Sequence, residues 1–227
     1  DSERFFFNWN TKGGGLAVDG EQWAKLADPG RVVAGAERVG LGFDGSISDD
    51  TTGLVGCTAD GFLWVAGCWE RPRFDDGRPD RGWTVPRLEV GSSVRSAFSA
   101  WTVGRMFGDP PRWATELESW AAEFGDETVL AFDTNQRSRF ARAVDRFLTA
   151  VRSGTLSHAD DERLTVHVLA AALEKVRSAA DEADGRTMYV LVKPEDGRKI
   201  DLAVAAVLAY EAAMTMPVVE PVEFFVY

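Results

Sequence analysis

The sequence predicts an α/β fold with one mixed β-sheet, in which an antiparallel three-strand meander continues into parallel strands and helices flank the sheet. Three short apolar runs between Arg38 and Glu70, separated by turn residues such as Asp-Gly, indicate the meander. Further along the chain, strand-like and helix-like stretches alternate, which is typical of parallel strands joined by helices. The chain has 227 residues, 45% of them hydrophobic, so it can bury a full core.

The composition excludes some classes of protein. A net charge of −11 argues against a protein that coats nucleic acid through bulk positive charge. It does not exclude a nuclease, because carboxylates that bind metal ions add negative charge. No apolar run approaches the roughly 20 residues of a membrane span, so we expect a soluble protein without a membrane partner. Cys57 and Cys68 lie out of register on adjacent predicted strands, which predicts two reduced thiols.

The meander follows a lead-in segment, residues 1–36, that contains several aromatic residues and one short helix-like stretch. Its predicted strands are Arg38–Asp44, Thr51–Thr58 and Phe62–Glu70, each apolar and bounded by turn residues. The next segment, Arg71–Arg87, is rich in Arg, Asp, Pro and Gly, and it therefore predicts an exposed loop.

The rest of the chain alternates between helical and strand periods, because apolar residues recur there either at three to four residue spacing or in short runs. The predicted elements are helix Val90–Ala100, strand Val103–Phe107, helix Trp113–Phe124, strand Thr128–Phe132, helix Phe140–Val151, helix Arg163–Val176, strand Met188–Val192 and helix Lys199–Met214. The last helix is nearly all Ala, Val and Leu, which indicates burial. We place one domain at residues 37–216 and a tail at residues 217–227.

Three aspartates stand at positions where such apolar segments do not require a charge. Asp44 ends the first strand, Asp109 ends the fourth, and Asp201 lies on the face of the last helix that is otherwise alanine and leucine. The first and fourth strands are natural neighbours in this sheet, so Asp44 and Asp109 should lie close together. Carboxylates that crowd in a partly buried site are usually neutralised by divalent cations.

Oxygen ligands of this kind suit Mg²⁺ or Mn²⁺, and a pair of such ions about 4 Å apart can catalyse phosphodiester hydrolysis. Each aspartate also has a purely structural explanation. Asp44 precedes Gly45 as in a hairpin turn, Asp109 precedes Pro110 as a helix N-cap would, and Asp201 in a first helical turn would complement the helix dipole.

The order of these motifs resembles a known family. Phe43-Asp44-Gly45-Ser46 is followed by Asp50 before a strand, by Arg105-Met106-Phe107-Gly108-Asp109-Pro110-Pro111, and by Arg198-Lys199-Ile200-Asp201-Leu202-Ala203-Val204-Ala205. Across nearly the whole chain, this arrangement is similar to the C-terminal nuclease domain of the large terminase subunit of tailed bacteriophages. The resemblance implies an RNase H-like fold and an endonuclease that cuts concatemeric double-stranded viral DNA during genome packaging.

The resemblance also implies a site, cofactors and partners. Asp44, Asp109 and Asp201 match the metal-binding triad for two Mg²⁺ or Mn²⁺ ions, with Asp50 as a further candidate. The sequence contains no Gly-x-x-x-x-Gly-Lys-Ser/Thr phosphate loop, so residues 1–36 would follow an ATPase domain that is missing here. The expected partners are double-stranded DNA, that ATPase domain, the small terminase subunit and the portal, in the cytoplasm of the infected bacterium.

Basic side chains supply the candidates for DNA contact, against the alternative that they belong to solvated loops. These candidates are Arg71, Arg73, Arg137, Arg139, Arg198 and Lys199. His158 and His167 are expected at surface or capping positions rather than in catalysis.

Two further functions remain open at this point. One is a resolvase or RNase H-type nuclease that acts on branched or hybrid nucleic acid. The other is a non-catalytic docking module of the packaging motor, with structural carboxylates and Phe224–Tyr227 as an anchor for a partner.

Overall fold

The structure is a computed structural model, and it describes residues 15–176, 187–194 and 197–218. Its strands are β1 Arg38–Asp44, β2 Thr52–Thr58, β3 Phe62–Trp69, β4 Thr102–Gly108, β5 Val129–Ala131, β6 Ser157–His158, β7 Ala172–Val176 and β8 Met188–Val192. Its helices are α1 Gly20–Ala24, α2 Arg87–Ala100, α3 Ala114–Phe124, α4 Arg137–Ser153, α5 Glu162–Ala170 and α6 Asp201–Thr215. None of the helices in these ranges is long and apolar enough to cross a membrane.

The main sheet has six strands in the order β5-β4-β1-β2-β3-β6. Strands β1, β2 and β3 form the antiparallel meander. Strand β4 pairs with β1 in parallel, β5 extends the parallel part, and β6 lies parallel to β3 at the other edge. The predicted fold class is therefore confirmed, as is the prediction that the first and fourth strands are neighbours.

The region after α5 differs from the prediction. The sequence predicted one helix over Arg163–Val176, but the helix ends at Ala170 and residues 172–176 form β7. Strands β7 and β8 pair antiparallel in a small sheet of their own rather than joining the main sheet. Apolar residues here are spaced in a way that fits a helix and a strand equally well, so the pairing with β8, the next described strand, decides the outcome.

The two faces of β1 carry different kinds of side chain. Val39, Leu41 and Phe43 point to the side covered by α2 and α3, where Phe43 meets Trp113 and Trp120 edge-on at centroid distances of 5.0 and 5.3 Å. We call this side of the sheet the aromatic face. Side chains alternate along a strand, so Gly40 and Gly42 point the other way. We call that opposite side the glycine face, and α6 covers it.

Helix α6 lies directly on the backbone of β1 at the glycine face. A β-carbon added at Gly42 would be 2.0 Å from the carbonyl oxygen of Ala205 and 2.2 Å from the nitrogen of Ala209. One added at Gly40 would be 2.3 Å from the nitrogen of Ala213. These are backbone atoms that cannot rotate aside, so only glycine permits this approach. The predicted burial of the last helix is confirmed, because nearly all of its alanine and leucine side chains are buried.

The described part of the lead-in, residues 15–36, packs against the rest of the chain. Val18 and Trp23 are buried, and Trp23 stacks on His158 with ring centroids 4.0 Å apart. The prediction of a surface or capping position for His158 is wrong, because this residue is buried and its Nε2 lies 2.9 Å from the carbonyl oxygen of Trp23. The aromatic residues of the first fourteen positions and Phe224–Tyr227 of the predicted tail lie outside the described residues.

Both cysteines have free thiols, as predicted. In the meander, Cys57 pairs with Leu63 and Cys68 pairs with Gly53, so the two thiols do not face each other. Burial raises the pKa of the Cys57 thiol well above its ordinary value, which keeps it protonated and unreactive.

Candidate metal centre

The packing of α6 on β1 brings Asp44 beside Asp201. Along β1, positions 40, 42 and 44 share the glycine face, while along α6 the contacting positions step back by four residues. Gly42 lies against Ala205, so one further step of each element places Asp44 next to Asp201. Burial is the largest cause that raises the pKa of Asp44 well above its ordinary value, followed by the charges of Asp201 and Asp109.

Asp109 reaches the same edge from β4. Phe43 is paired with Gly108, and the Asp109 backbone N–H donates to the Phe43 carbonyl oxygen at 3.0 Å. The carboxylate of Asp109 accepts hydrogen bonds from the backbone N–H of Thr134 at 3.0 Å and from its hydroxyl at 2.8 Å. Burial raises the pKa of Asp109, and the two bonds from Thr134 oppose that rise.

The capping explanation for Asp109 is wrong. Helix α3 begins at Ala114, so its N-cap is Trp113 rather than Asp109. Proline follows Asp109, but four residues separate Asp109 from the helix, and its carboxylate bonds to the loop before α4 instead. For Asp201 the dipole explanation is compatible with the structure, because this residue opens α6.

Asp201 is held between the residue that precedes β2 and the residue that follows β8. Its Oδ2 accepts a hydrogen bond from the backbone N–H of Thr51 at 3.3 Å, and its Oδ1 lies 3.6 Å from the Nζ of Lys193. Only 7% of Asp201 is exposed. Burial raises the pKa of Asp201, while Lys193 acts in the opposite direction.

The loop from Ser46 to Asp50 holds the fourth carboxylate. The Ser46 hydroxyl donates to the carbonyl oxygen of Asp50 at 2.6 Å, and the Trp113 indole donates to the carbonyl oxygen of Ser46 at 2.9 Å. The Oδ1 of Asp50 lies 2.5 Å from the Nζ of Lys193. Its neighbour Asp49 pairs with Arg71 instead. Of the two aspartates in this loop, Asp50 is the one that faces the other carboxylates.

The chemistry of these donors fits a hard divalent cation. All four are carboxylates, and the charges of Asp201, Asp109 and Asp50 each raise the pKa of Asp44, as expected where negative charge is insufficiently compensated. Among the described residues, no three His, Cys, Asp or Glu side chains are already spaced to hold an ion. The carboxylates thus converge on one edge of the sheet without forming a closed ligand set.

His167 contacts the first turn of the helix that carries Asp201. Its Nδ1 accepts a hydrogen bond from the backbone N–H of Leu202 at 3.0 Å, and its Nε2 lies 3.5 Å from a carboxylate oxygen of Glu70. The residue before α6, Ile200, makes no side-chain capping bond, so His167 caps this helix from α5. The expectation of a capping role is met, but His167 is buried and serves a different helix. No sequence signal could have shown this, because the capping residue and the helix are 35 positions apart.

The predicted basic residues fall into two groups. Arg71, Arg73, Arg198 and Lys199 line one cleft of about 380 Å³ beside Glu70 and His167. Arg137 and Arg139 do not line this cleft. Arg137 pairs with Glu174 at 2.7 Å, and the guanidinium of Arg139 lies 3.9 Å from the ring centroid of Phe132.

No family model matches the chain, but the chain is similar to proteins of known phages. The Gene 13 protein of Mycobacterium phage L5 is 32% identical over 186 residues, which cover 78% of this chain and 29% of that protein. The chain therefore spans less than a third of the length of this curated relative.

Among solved structures, the large terminase of bacteriophage HK97 aligns with a TM-score of 0.66 and 16% identity, over 88% of this chain and 44% of that one. The large terminase nuclease of thermophilic phage G20c, crystallised with bound magnesium, aligns with a TM-score of 0.54 and 13% identity, over 86% of this chain and 96% of that one. At such low identity, the likeness establishes the fold. The chain has the RNase H-like fold of the nuclease domains of phage large terminases, as the resemblance in its sequence implied.

Proposed function

We propose that this chain is the nuclease domain of a phage large terminase, a metal-dependent endonuclease that cleaves concatemeric double-stranded DNA during genome packaging. The observation that carries the proposal is the convergence of Asp44, Asp109 and Asp201 at one edge of a terminase-type sheet. Three elements distant in sequence contribute one carboxylate each. A purely structural role would not require the charges of Asp201 and Asp109 to lie close enough to raise the pKa of Asp44.

Asp44, Asp109 and Asp201 would hold two Mg²⁺ or Mn²⁺ ions, with Asp50 as an additional ligand. When bound, such ions activate a water molecule and stabilise the charge that develops on the phosphate. The protein orients the ligands. Thr134 holds the carboxylate of Asp109, and the backbone of Thr51 holds that of Asp201.

The basic cleft would position the DNA backbone. Arg198 and Lys199 share the cleft with Arg71 and Arg73. Because Arg198 and Lys199 also lie just before Asp201 in sequence, a phosphate bound in the cleft would lie near the carboxylates. Arg137 and Arg139 begin α4, close in sequence to the Thr134 that holds Asp109, and would contact a longer stretch of duplex. The proposed partners are the ATPase domain of the same subunit, the small terminase subunit and the portal, in the cytoplasm of the infected bacterium.

Cleavage of supercoiled plasmid in Mn²⁺ or Mg²⁺ tests the proposal. Asp44→Ala and Asp201→Asn should each lose at least about 100-fold in rate, because metal ions contribute several kcal/mol of transition-state stabilisation. Asp126→Asn, in an exposed turn, serves as the matched control and should cut like the wild type. Equal cutting by all four proteins, or cutting by none, would refute the assignment.

The choice of substrate separates the alternative functions. Linear duplex, a four-way junction and an RNA–DNA hybrid are compared at equal concentration. Preference for the junction or hybrid would favour a resolvase or RNase H-type enzyme. The absence of cleavage on all three, with folded protein, would favour a docking module.

The basic cleft is tested by the salt dependence of DNA binding. Lys199→Gln should reduce the slope of log affinity against log salt by about 1, since one phosphate contact is lost. Arg152→Gln, at the far end of α4 and outside the cleft, should leave the slope unchanged. An unchanged slope in Lys199→Gln would remove this residue from the DNA contact surface.

A further inference from the structure

Lys193 forms ion pairs with two of the four carboxylates. It follows β8 directly, and its Nζ lies 2.5 Å from Asp50 and 3.6 Å from Asp201. The charge of Lys193 also lowers the pKa of Asp44, against the larger effects that raise it. One ammonium group thus serves three carboxylates at once.

The remaining carboxylate, Asp109, is compensated in a different way. The groups that lower its pKa are the backbone N–H and hydroxyl of Thr134, which are neutral. Positive charge is therefore distributed unevenly across the proposed centre. The ammonium group of Lys193 forms ion pairs with Asp50 and Asp201, whereas in the described part of the chain neither Asp44 nor Asp109 forms an ion pair.

We propose that Lys193 is a built-in counter-cation that occupies the second cation position of the metal centre, so that the two ions bind unequally. This inference rests on the proposed metal site. One ion would enter between Asp44 and Asp109 without hindrance. The other would bind Asp201 and Asp50 only after the ammonium group of Lys193 has moved away.

The side chain of Lys193 suits displacement. A lysine ammonium is a compact, strongly hydrated charge on a flexible stem, unlike the planar fork of arginine. The Lys193 side chain is 39% exposed, so the ammonium can reach water when it leaves the carboxylates. An ammonium and a divalent ion a few ångströms apart repel each other, so they do not share the position.

Calorimetric titration of Mn²⁺ into the full chain, without DNA, tests this inference. The wild type should show one tighter and one weaker site. Lys193→Met keeps the stem but removes the charge, and it should tighten the weaker site at least about tenfold, equivalent to about 1.4 kcal/mol, while leaving the tighter site unchanged. Lys25→Met, at an exposed position at the end of α1, is the matched control and should leave both sites as in the wild type.

Lys193→Arg keeps the charge on a less easily displaced group, and it should weaken the second site further. It also keeps the test decisive if Lys193→Met fails to fold. Equal sites in the wild type, or a second site that neither substitution changes, would overturn the inference even if the protein cuts DNA. No Mn²⁺ binding by the folded wild type would overturn both the inference and the proposed metal centre.

Discussion

The two faces of the central sheet are packed in different ways: one through large side chains, the other through direct contact between backbones. On the aromatic face, large side chains from β1, α2 and α3 interdigitate, and Phe98 stacks on Phe124 with ring centroids 3.9 Å apart. On the glycine face, β1 offers no side chain at Gly40 or Gly42, and the helix backbone rests on the strand backbone. On the aromatic face side chains pack against side chains, whereas the glycine face fixes the distance between two elements.

This difference explains why the carboxylates lie where they do. Side chains that interdigitate can repack around a change, but two backbones in contact have one register. The strand and the helix meet at Gly40 and Gly42. Asp44 is the next position on the same face of the strand, and Asp201 lies one helical turn before Ala205. The glycine face therefore positions the candidate site.

The largest effect should follow from one added methyl group on the glycine face. Gly42→Ala would place a β-carbon 2.0 Å from a backbone oxygen of α6, and we expect a loss of about 3 kcal/mol or more in the free energy of unfolding. Urea denaturation measures it. A change of less than about 1 kcal/mol would show that α6 moves easily, and the contrast between the faces would fail.

Removal of the cap on α6 should have a smaller effect. His167→Leu leaves the Leu202 N–H without its partner, which should reduce stability by about 1–3 kcal/mol and weaken Mn²⁺ binding because Asp201 loses its fixed position. His167→Asn provides an acceptor near the place of Nδ1 and should restore Mn²⁺ affinity in part. If the two variants bind Mn²⁺ alike, His167 does not position Asp201.

Neutralisation of Asp44 should stabilise the metal-free protein. Burial and neighbouring charges raise the pKa of Asp44 in the folded state, so the native protein binds a proton more readily than the unfolded chain. Stability should then fall as pH rises from the ordinary carboxylate range near 4 through this raised pKa.

In metal-free buffer at neutral pH, Asp44→Asn should therefore gain about 0.5–2 kcal/mol while losing cleavage. Thermal denaturation across pH measures both effects, and the variant should show a smaller fall in stability with rising pH than the wild type. If Asp44→Asn is less stable than the wild type under these conditions, the charge of Asp44 does not destabilise the metal-free protein.

The smallest effect should come from the same methyl group on the opposite side of the sheet. A β-carbon at Gly91, in α2, would meet the guanidinium end of Arg95 at 3.3 Å and would lie in ordinary contact with the indole nitrogen of Trp120 at 3.9 Å. Gly91→Ala should gain about 0.5–1 kcal/mol from helix propensity. If Gly91→Ala lowers the free energy of unfolding as much as Gly42→Ala does, the two faces do not differ in how they accommodate an added methyl group.

Most of the fold and the three acidic residues could be predicted from the sequence, because local signals specify them. The alternation along β1 and the Asp-Gly turns define the meander, and the alanine-rich stretch defines α6. The boundary at Ala170 could not be predicted, since pairing with β8 converts the end of an apparent helix into β7. Lys193 and His167 were missed as site residues for a similar reason, because their partners are distant in sequence.

The glycines of β1 have a further consequence in genetic terms. Every missense change at position 40 or 42 adds a β-carbon, and the added atom meets the backbone of α6. Functional copies of this gene should therefore accumulate only synonymous changes at these two codons. A library of random variants selected for folding should return glycine at both positions, even though neither residue has a side chain that could bind a metal ion.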